Sequence, residues 1–461
     1  MPSVRSDTTD TTDTTDTTDT TDADTTDADT TDADTTDANS VKQRQMTVGS
    51  LLALSFLWFP VNMFWTAMLQ YLLPHQVQVM VGDAAKGEYL GYISLIGAVA
   101  TTVIQLIVAP LSDACASRWG RRHPFIGWGI ALNILFVFLF GWAKSFPLLM
   151  LAFFGIQLCL NIATGPYQAL LPDNVPRKQH GIASAYMGAA LLLGQLLGAL
   201  VLLLRNSLGL MGLLGLITAL LLIGAFITIK FVPDAPAPLA DRLPLGKALA
   251  TLSDLRIREN PDFFGLLYSR FFINLSYATV GSFLLYYLQD TIGLGEEGAG
   301  NFQPIVILTA TVAGLVGTIA AAASLKRFTK KQVIYAACTL LATASLVFAL
   351  TSGEMMVLVL AFVFGAGWGC FQAVDWAFAV SLLPTGGAAR YMAVWHVCMT
   401  VPQIIAPLFG RVADILNKQR GNGFGWRAAM LSTVLYLVFG TVLLNRVKER
   451  EVKSESLLEE R

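Results

Sequence analysis

Two charged side chains lie inside apolar stretches long enough to cross a membrane. Arg270 stands about seven residues into one stretch and Asp375 about eight residues from the end of another, which puts both roughly 10–12 Å deep in a helix. Charge is costly at that depth and marks functional sites. We therefore predict that the two side chains pair, and that the carboxylate takes up a coupling proton when the pair breaks. A static salt bridge is the alternative.

His396 is a further candidate for ion coupling. It lies at similar depth in another apolar stretch, and histidine titrates near neutral pH. A core histidine with satisfied hydrogen bonds is the alternative. The first half of the chain has no charge at such depth and offers neutral polar groups instead.

Neutral polar and aromatic side chains are the candidates for binding a substrate. Gln157 and Asn161 are four residues apart and share one helix face. Amides beside aromatic walls suit a hydroxyl-rich neutral ligand, whereas an anionic ligand would require more basic groups. Hydrogen bonding between helices and simple packing are the alternatives. The candidates are Trp58, Asn62, Trp65, Gln157, Asn161, Tyr167, Asn274, Tyr277, Gln372 and Trp376.

A short polar segment between two apolar stretches combines one carboxylate, three guanidiniums and a glycine. A glycine lets the backbone turn closely, and arginines bind carboxylates or the carbonyl groups at helix ends. This composition predicts a latch between helices. Arginines that only mark the cytoplasmic side are the alternative. The latch candidates are Asp113, Arg118, Gly120, Arg121 and Arg122.

Twelve apolar segments of membrane-spanning length would position these side chains. The chain is 54% hydrophobic and 14% charged, and its mean hydropathy is +0.58. Long continuous apolar runs without alternation exclude a closed barrel, so the predicted fold is an all-α membrane protein. The segments lie at roughly 47–73, 88–110, 124–143, 146–171, 181–204, 208–231, 263–289, 301–324, 332–352, 355–383, 388–413 and 424–444.

The segments form two sets of six, and short motifs recur between the sets at an offset of 208–212 residues. Asn62 corresponds in this way to Asn274. Two parallel six-helix repeats would place a binding site between the halves near mid-membrane. The predicted domains are a disordered Thr/Asp-rich tail (1–46), an N-terminal six-helix bundle (47–231), a cytoplasmic central loop (232–262), a C-terminal six-helix bundle (263–446) and a cytoplasmic tail (447–461).

The distribution of charge predicts the orientation. Residues 7–38 carry twelve Asp and no Lys or Arg, so the remainder has a charge of +11 although the whole chain has −1. With the N-terminus inside, cytoplasmic segments hold 23 basic residues and outer segments seven. This bias follows the positive-inside rule. We predict a multi-pass protein of the cell membrane with both termini cytoplasmic, and the basic excess does not indicate nucleic-acid binding.

The latch segment resembles the signature loop of the major facilitator superfamily. The run from Ser112 through Arg122 to Ile126 looks most like the sucrose-transporter branch, which is related to the glycoside–pentoside–hexuronide:cation symporters. The stretch from Asn161 to Asp173 is similar to their fourth helix. Ala114 stands where those families usually carry an Arg. Either the latch is therefore weaker, or its Asp pairs with one of two other arginines, Arg118 or Arg121.

The resemblance implies alternating access by two rocking halves, with helices one, four, seven and ten lining the cavity. The predicted function is a cation-coupled symporter, with a proton as the coupling cation and a sugar or similar neutral polar solute as substrate. We expect a monomer in the lipid bilayer without cofactor or metal. The alternative within the superfamily is an exporter of amphipathic small molecules.

Other classes of function are disfavoured. HExxH, GxSxG and GxxxxGK[ST] motifs are absent from the sequence, which argues against a membrane enzyme and against a primary transporter. A channel would not require the repeat of two halves, and a receptor without transport remains as a residual alternative.

Overall fold

Within the part of the chain that the structure describes, twelve helices are long and apolar enough to cross a bilayer. The structure is a computed structural model that describes residues 46–113, 115–176, 179–236, 259–325, 327–382, 388–421 and 423–448. Side chains are described there except at residues 106, 109–110, 180–181, 376–377, 380–381, 388–393 and 396–397. Nearly all of the predicted tails and most of the predicted central loop lie outside the described residues, so the domain boundaries stay predictions.

The helices are numbered in chain order. Those of the first half are α1 Val48–Val81, α2 Lys86–Asp113, α3 His123–Trp142, α4 Phe146–Asn174, α5 His180–Leu203 and α6 Arg205–Phe231. Those of the second half are α7 Pro261–Thr291, α8 Gly295–Ser324, α9 Lys330–Leu350, α10 Glu354–Ser381, α11 Ala388–Leu408 with a continuation over Gly410–Arg420, and α12 Phe424–Asn445. The predicted all-α membrane fold is confirmed.

Several helices extend beyond the apolar segments that predicted them, and α1 and α11 do so the furthest. α1 continues past residue 73 to Val81, and α11 continues after Phe409 to Arg420. The continuation of α11 carries the basic residues Arg411 and Lys418. A helix satisfies its own backbone hydrogen bonds, so it can continue beyond the apolar region while long basic side chains extend toward water.

The two halves repeat one packing scheme. In the first half α1 packs on α5, α2 and α3 pack on α4, and α3 packs on α6. In the second half α7 packs on α11, α8 and α9 pack on α10, and α9 packs on α12. The halves meet where α2 contacts α11 and where α5 contacts α8. Because α2 is the counterpart of α8 and α5 is the counterpart of α11, these two contacts are equivalent in the repeat. The predicted pair of six-helix pseudo-repeats is therefore confirmed.

The first helix of each half contains a π-helical turn in its C-terminal half, Met68–Leu72 in α1 and Tyr287–Thr291 in α7. Such turns are rare and occur often at functional sites. We call this end of the bundle, which holds Lys86 and Asp290, the seam end. The opposite end, which holds Asp113, is the latch end.

Candidate functional site

Two stripes of side chains face each other across α7 and α10. Each stripe has the spacing i, i+4, i+7, which places its three members on one face of a helix. The two helices run in opposite directions, so the first member of one stripe lies opposite the last member of the other. The stripes are Arg270, Asn274 and Tyr277 on α7 and Trp368, Gln372 and Asp375 on α10.

A buried ion pair joins the stripes toward the latch end. Arg270 Nη1 pairs with Asp375 Oδ2, and the two residues are 0% and 1% exposed. The Cζ atom of Arg270 lies 3.6 Å from the centroid of the Trp395 ring on α11. The buried cation is thus balanced by a carboxylate and by the negative face of an indole ring. The predicted pairing is confirmed, whereas its role in ion coupling stays a prediction.

Stacked aromatic rings join the stripes at their other end. The rings of Tyr277 and Trp368 lie 3.8 Å apart and 10° from parallel, and Phe364 lies parallel to Tyr277 at 6.3 Å. Phe371 lies 5.6 Å from Trp368 on the same helix. Sequence reasoning missed Trp368, although its position four residues before Gln372 is the signal that could have found it.

A central cavity opens between the two halves beside these rings. Its walls come from α1 and α5 of the first half and from α7, α8, α9 and α10 of the second, with Phe348 as the contribution of α9. Most of the lining is aliphatic or aromatic, and no charged residue is among the described side chains that form it. Apolar walls with a few convergent polar groups are typical of a small-molecule site. The polar lining residues are Thr66, Gln70, Gln195, Tyr277, Thr311, Thr318 and Gln372.

Two of the ten predicted substrate-binding residues, Tyr277 and Gln372, line this cavity. Asn274 is buried, and its Nδ2 donates to the Arg270 carbonyl one turn earlier at 2.9 Å. The side chains of two further candidates, Trp376 and the coupling candidate His396, lie outside the described part of the chain. The roles of these residues stay predictions.

The candidates on α1 are held close to α4. The Tyr167 hydroxyl donates to the Leu54 carbonyl at 2.5 Å and accepts from the Trp58 N–H at 3.2 Å. Asn62 Nδ2 donates to the Trp58 carbonyl at 2.7 Å, and Trp65 packs partly buried against the core. Tyr167 is fully buried, so its observed task is to join α4 to α1. A substrate-binding role for these four candidates stays a prediction.

Amide and hydroxyl groups join α2 to α4. Thr101 Oγ1 donates to Gln157 Oε1 at 3.1 Å, and Gln105 Nε2 donates to Asn161 Oδ1 at 2.9 Å. Asn161 Nδ2 donates to Thr101 Oγ1 at 3.2 Å. This network supports the alternative of hydrogen bonding between helices, and contact of Gln157 or Asn161 with substrate stays a prediction.

The latch candidates form an ion-pair cluster that joins α2, α3 and α4. Arg122 Nη2 lies 2.5 Å from Asp113 Oδ1, and Arg122 Nε lies 3.0 Å from Asp173 Oδ2. Arg121 Nη2 lies 2.7 Å from Asp173 Oδ1. The expectation that Asp113 pairs with Arg118 or Arg121 is wrong, because Arg122 immediately precedes α3 and its side chain reaches the end of α2. Arg118 lies exposed in the turn outside the cluster.

Asp234, which follows α6, also contacts the latch segment. Its Oδ2 accepts from the backbone N–H groups of Arg122 at 2.6 Å and of His123 at 2.8 Å, so it caps the start of α3. Gly120 has φ +98°, and a Cβ there would collide with the Asp234 carboxylate. Asp173 and Asp234 were missed by sequence reasoning, since nothing in their local sequence indicates partners about 50 and 110 residues away.

Comparison with known protein families gives a match across most of the chain. The family model of the Major Facilitator Superfamily matches residues 50–407. A general alpha-glucoside permease from Schizosaccharomyces pombe is 25% identical over 166 residues, which cover 32% of this chain and 29% of the relative. Sucrose transport protein SUT1 from Oryza sativa subsp. japonica is 28% identical over 156 residues, 29% of this chain and 28% of the relative. The chain thus matches under a third of the length of each.

Solved structures share the fold at low identity. A bacterial homolog of the human lysosomal transporter Spinster, inward-facing and unoccupied, aligns with a TM-score of 0.65 at 15% identity over 88% of this chain and 98% of its own. The nucleoside transporter NupG aligns with a TM-score of 0.61 at 13% identity over 87% and 100%. These similarities concern the fold alone.

Neutralising one member of the buried ion pair should destabilise the protein strongly. Arg270→Gln and Asp375→Asn each leave an uncompensated buried charge, which costs about 3–5 kcal/mol of unfolding free energy. The double variant removes both charges and should recover a large part of that loss. Thermal unfolding in detergent measures all three variants as a double-mutant cycle. A double variant whose loss equals the sum of the single losses would contradict the pairing.

Proposed function

We propose that this chain, which belongs to the Major Facilitator Superfamily, carries a sugar or a similar neutral polar solute across the membrane together with protons. It is a multi-pass membrane transporter and not an enzyme. One observation carries the proposal of a neutral solute: the cavity between the halves offers amide, hydroxyl and aromatic groups, and no charge, among its described lining residues.

The chemistry of the cavity suits a sugar. Aromatic rings such as Trp368 present flat apolar faces to the C–H groups of a sugar ring, and amides such as Gln372, Gln70 and Gln195 both donate to and accept from hydroxyl groups. A site without charge binds a neutral ligand without leaving a buried charge unpaired. The names of the curated relatives, a glucoside permease and a sucrose transport protein, support the same class of substrate.

The stripes on α7 and α10 connect this cavity to the ion pair. Gln372 lies one turn from Asp375 on α10, and Tyr277 lies two turns from Arg270 on α7. A ligand that contacts Gln372 and the stacked rings would shift α10 against α7 and separate the charges. Asp375 would then favour its protonated form, because it has lost its opposite charge inside a low-dielectric site. A static salt bridge is the competing interpretation.

The orientation and the latch complete the proposal. The basic excess supports a cytoplasmic latch end with both termini on the same side, and the cell membrane is the proposed location. The cluster around Arg122 joins three helices of one half, so it lets that half move as a unit when the halves rock. The latch would therefore govern the balance of conformational states more than it governs ligand affinity.

An exporter of amphipathic compounds is the second candidate. The cavity walls hold many aliphatic side chains, including Leu191, Leu192, Val306 and Ile307. Such walls would also receive an apolar ligand part, so the transport experiment must offer both classes of solute.

Uptake into proteoliposomes tests the proposed function. With an outside-acid pH gradient, labelled sucrose or maltose should accumulate saturably, and a protonophore should abolish accumulation while leaving exchange of labelled against unlabelled sugar. Failure of a panel of neutral sugars to enter, combined with transport of amphipathic dyes, would overturn the proposal in favour of the exporter.

Neutralising Asp375 should uncouple transport from protons. In Asp375→Asn the site no longer binds a proton, so sugar exchange should persist while gradient-driven accumulation is lost. The double variant Arg270→Gln/Asp375→Asn serves as the better-folded form of the same test. Proton uptake during sugar entry is measured with an internal pH dye, and unchanged coupled proton uptake would eliminate Asp375 as the coupling group.

Asp113→Asn should lower turnover by about tenfold while changing substrate affinity much less, since the latch biases conformational states. Initial rates over a range of sugar concentrations separate the two effects. Arg118→Gln is the matched control, because this arginine is exposed outside the ion-pair cluster, and it should transport like the unaltered protein. A loss of affinity at constant turnover would count against the latch.

A further inference from the structure

A lysine at the seam end has its charge fully removed from water. Lys86 at the start of α2 is 0% exposed, although lysine is almost never fully buried unless paired. Its Nζ lies 2.9 Å from Asp290 Oδ2 and 3.2 Å from Asp83 Oδ1. It donates to Gln289 Oε1 at 3.1 Å and lies 4.9 Å from the centroid of the Tyr286 ring.

The contacts of Lys86 with Gln289 and Asp290 cross from the first half of the molecule to the second. Asp83 precedes α2 in the first half, and its Oδ1 also accepts from Gln78 Nε2 at 2.8 Å. Asp290 lies in the π-helical turn Tyr287–Thr291 of the second half, and its Oδ2 also accepts from Trp426 Nε1 at 2.7 Å. Both carboxylates are therefore held in place from their own half, and Lys86 joins them.

Other contacts at the seam end differ in kind. Asp414 Oδ2 accepts from the Glu88 N–H at 2.8 Å, and Gly87 approaches Gly410 so closely that a Cβ on either would collide with the other backbone. Arg411 lies 3.6 Å from Glu88, with 64% of its side chain exposed. An exposed pair of this kind contributes little to stability. In the Lys86–Asp290 pair, by contrast, only 1% of the lysine side chain and 20% of the aspartate side chain are exposed.

We infer that Lys86 is a positioning residue that holds the seam end closed, and that its pair with Asp290 sets the resting balance between the two access states. The inference rests on the proposed alternating access of the two halves. When the seam end opens, Lys86 and Asp290 separate and become hydrated, so their attraction belongs to the closed state alone. Removing it should shift the population toward the state that is open at the seam end.

This inference differs from that of a static anchor in one observable respect. When two halves rock about a common cavity, the seam end and the latch end cannot be open at the same time. Opening of the seam end must therefore close the latch end. Loss of a merely structural contact would loosen the seam end, or the whole bundle, without protecting the opposite end. Protection at the latch end is therefore the readout that separates the two.

Hydrogen exchange of the purified protein in detergent, without any sugar, tests this. Lys86→Met should raise amide exchange in Tyr287–Thr291 by about tenfold or more, as expected for loss of a buried charge pair. The same variant should slow exchange at the first turn of α9, which begins at Lys330 at the latch end of the second half. Asp290→Asn, which keeps an acceptor for Trp426, should shift both segments in the same directions.

Arg411→Gln is the matched control, since it removes an exposed contact between the same halves and should leave both segments unchanged. Equal exchange in Lys86→Met and the unaltered protein, or faster exchange at both ends, would overturn the inference. Because no sugar is present, failure of sugar uptake would reject the proposed substrate and leave this result interpretable.

Discussion

The two halves of the bundle meet where α2 crosses α11 and where α5 crosses α8, and the transport cycle that we propose depends on how these crossings are held. A bilayer supplies little hydrophobic force between helices, so such contacts depend on small residues that allow close approach. Gly87 against Gly410 and Gly91 against the Pro407 carbonyl fulfil that condition. Both contacts lie toward the seam end, where the Lys86 pair adds a charge interaction that the open state would lack.

The ion pair and the stacked rings of the proposed site lie on two helices of one half. α7 and α10 each carry an aromatic, an amide and a charged side chain on a single face. Ring stacking joins Tyr277 to Trp368 beside the cavity, and charge joins Arg270 to Asp375 toward the latch end. Substrate contact and proton binding would thus be separated by about one to two helical turns along one rigid element. Substrate binding could thus be coupled to proton binding over a short distance, without any single group that binds both the substrate and the proton.

Local sequence predicted the parts of this structure that depend on local properties. Apolar runs predicted twelve helices, and the cost of charge in a membrane predicted that Arg270 and Asp375 pair. The predicted partner of Asp113 was wrong, and the ion pairs and hydrogen bonds of Asp173, Asp234 and Lys86 were not predicted. Those contacts depend on how helix ends meet in space. Trp368 was missed because an aromatic residue in an apolar helix is usually packing. The helical end of α11 was missed because its composition is that of a loop.

Distances between spin labels at the two ends test the central claim most directly. One pair would join Ser207 to Glu297 at the seam end and another Arg118 to Phe328 at the latch end, all four being exposed or at the surface, in a protein whose native cysteines are replaced. The account predicts that a transported sugar with acid pH redistributes both distances in opposite directions, one lengthening as the other shortens. Distances that change in the same direction at both ends, or at one end alone, would contradict two halves rocking about a shared cavity.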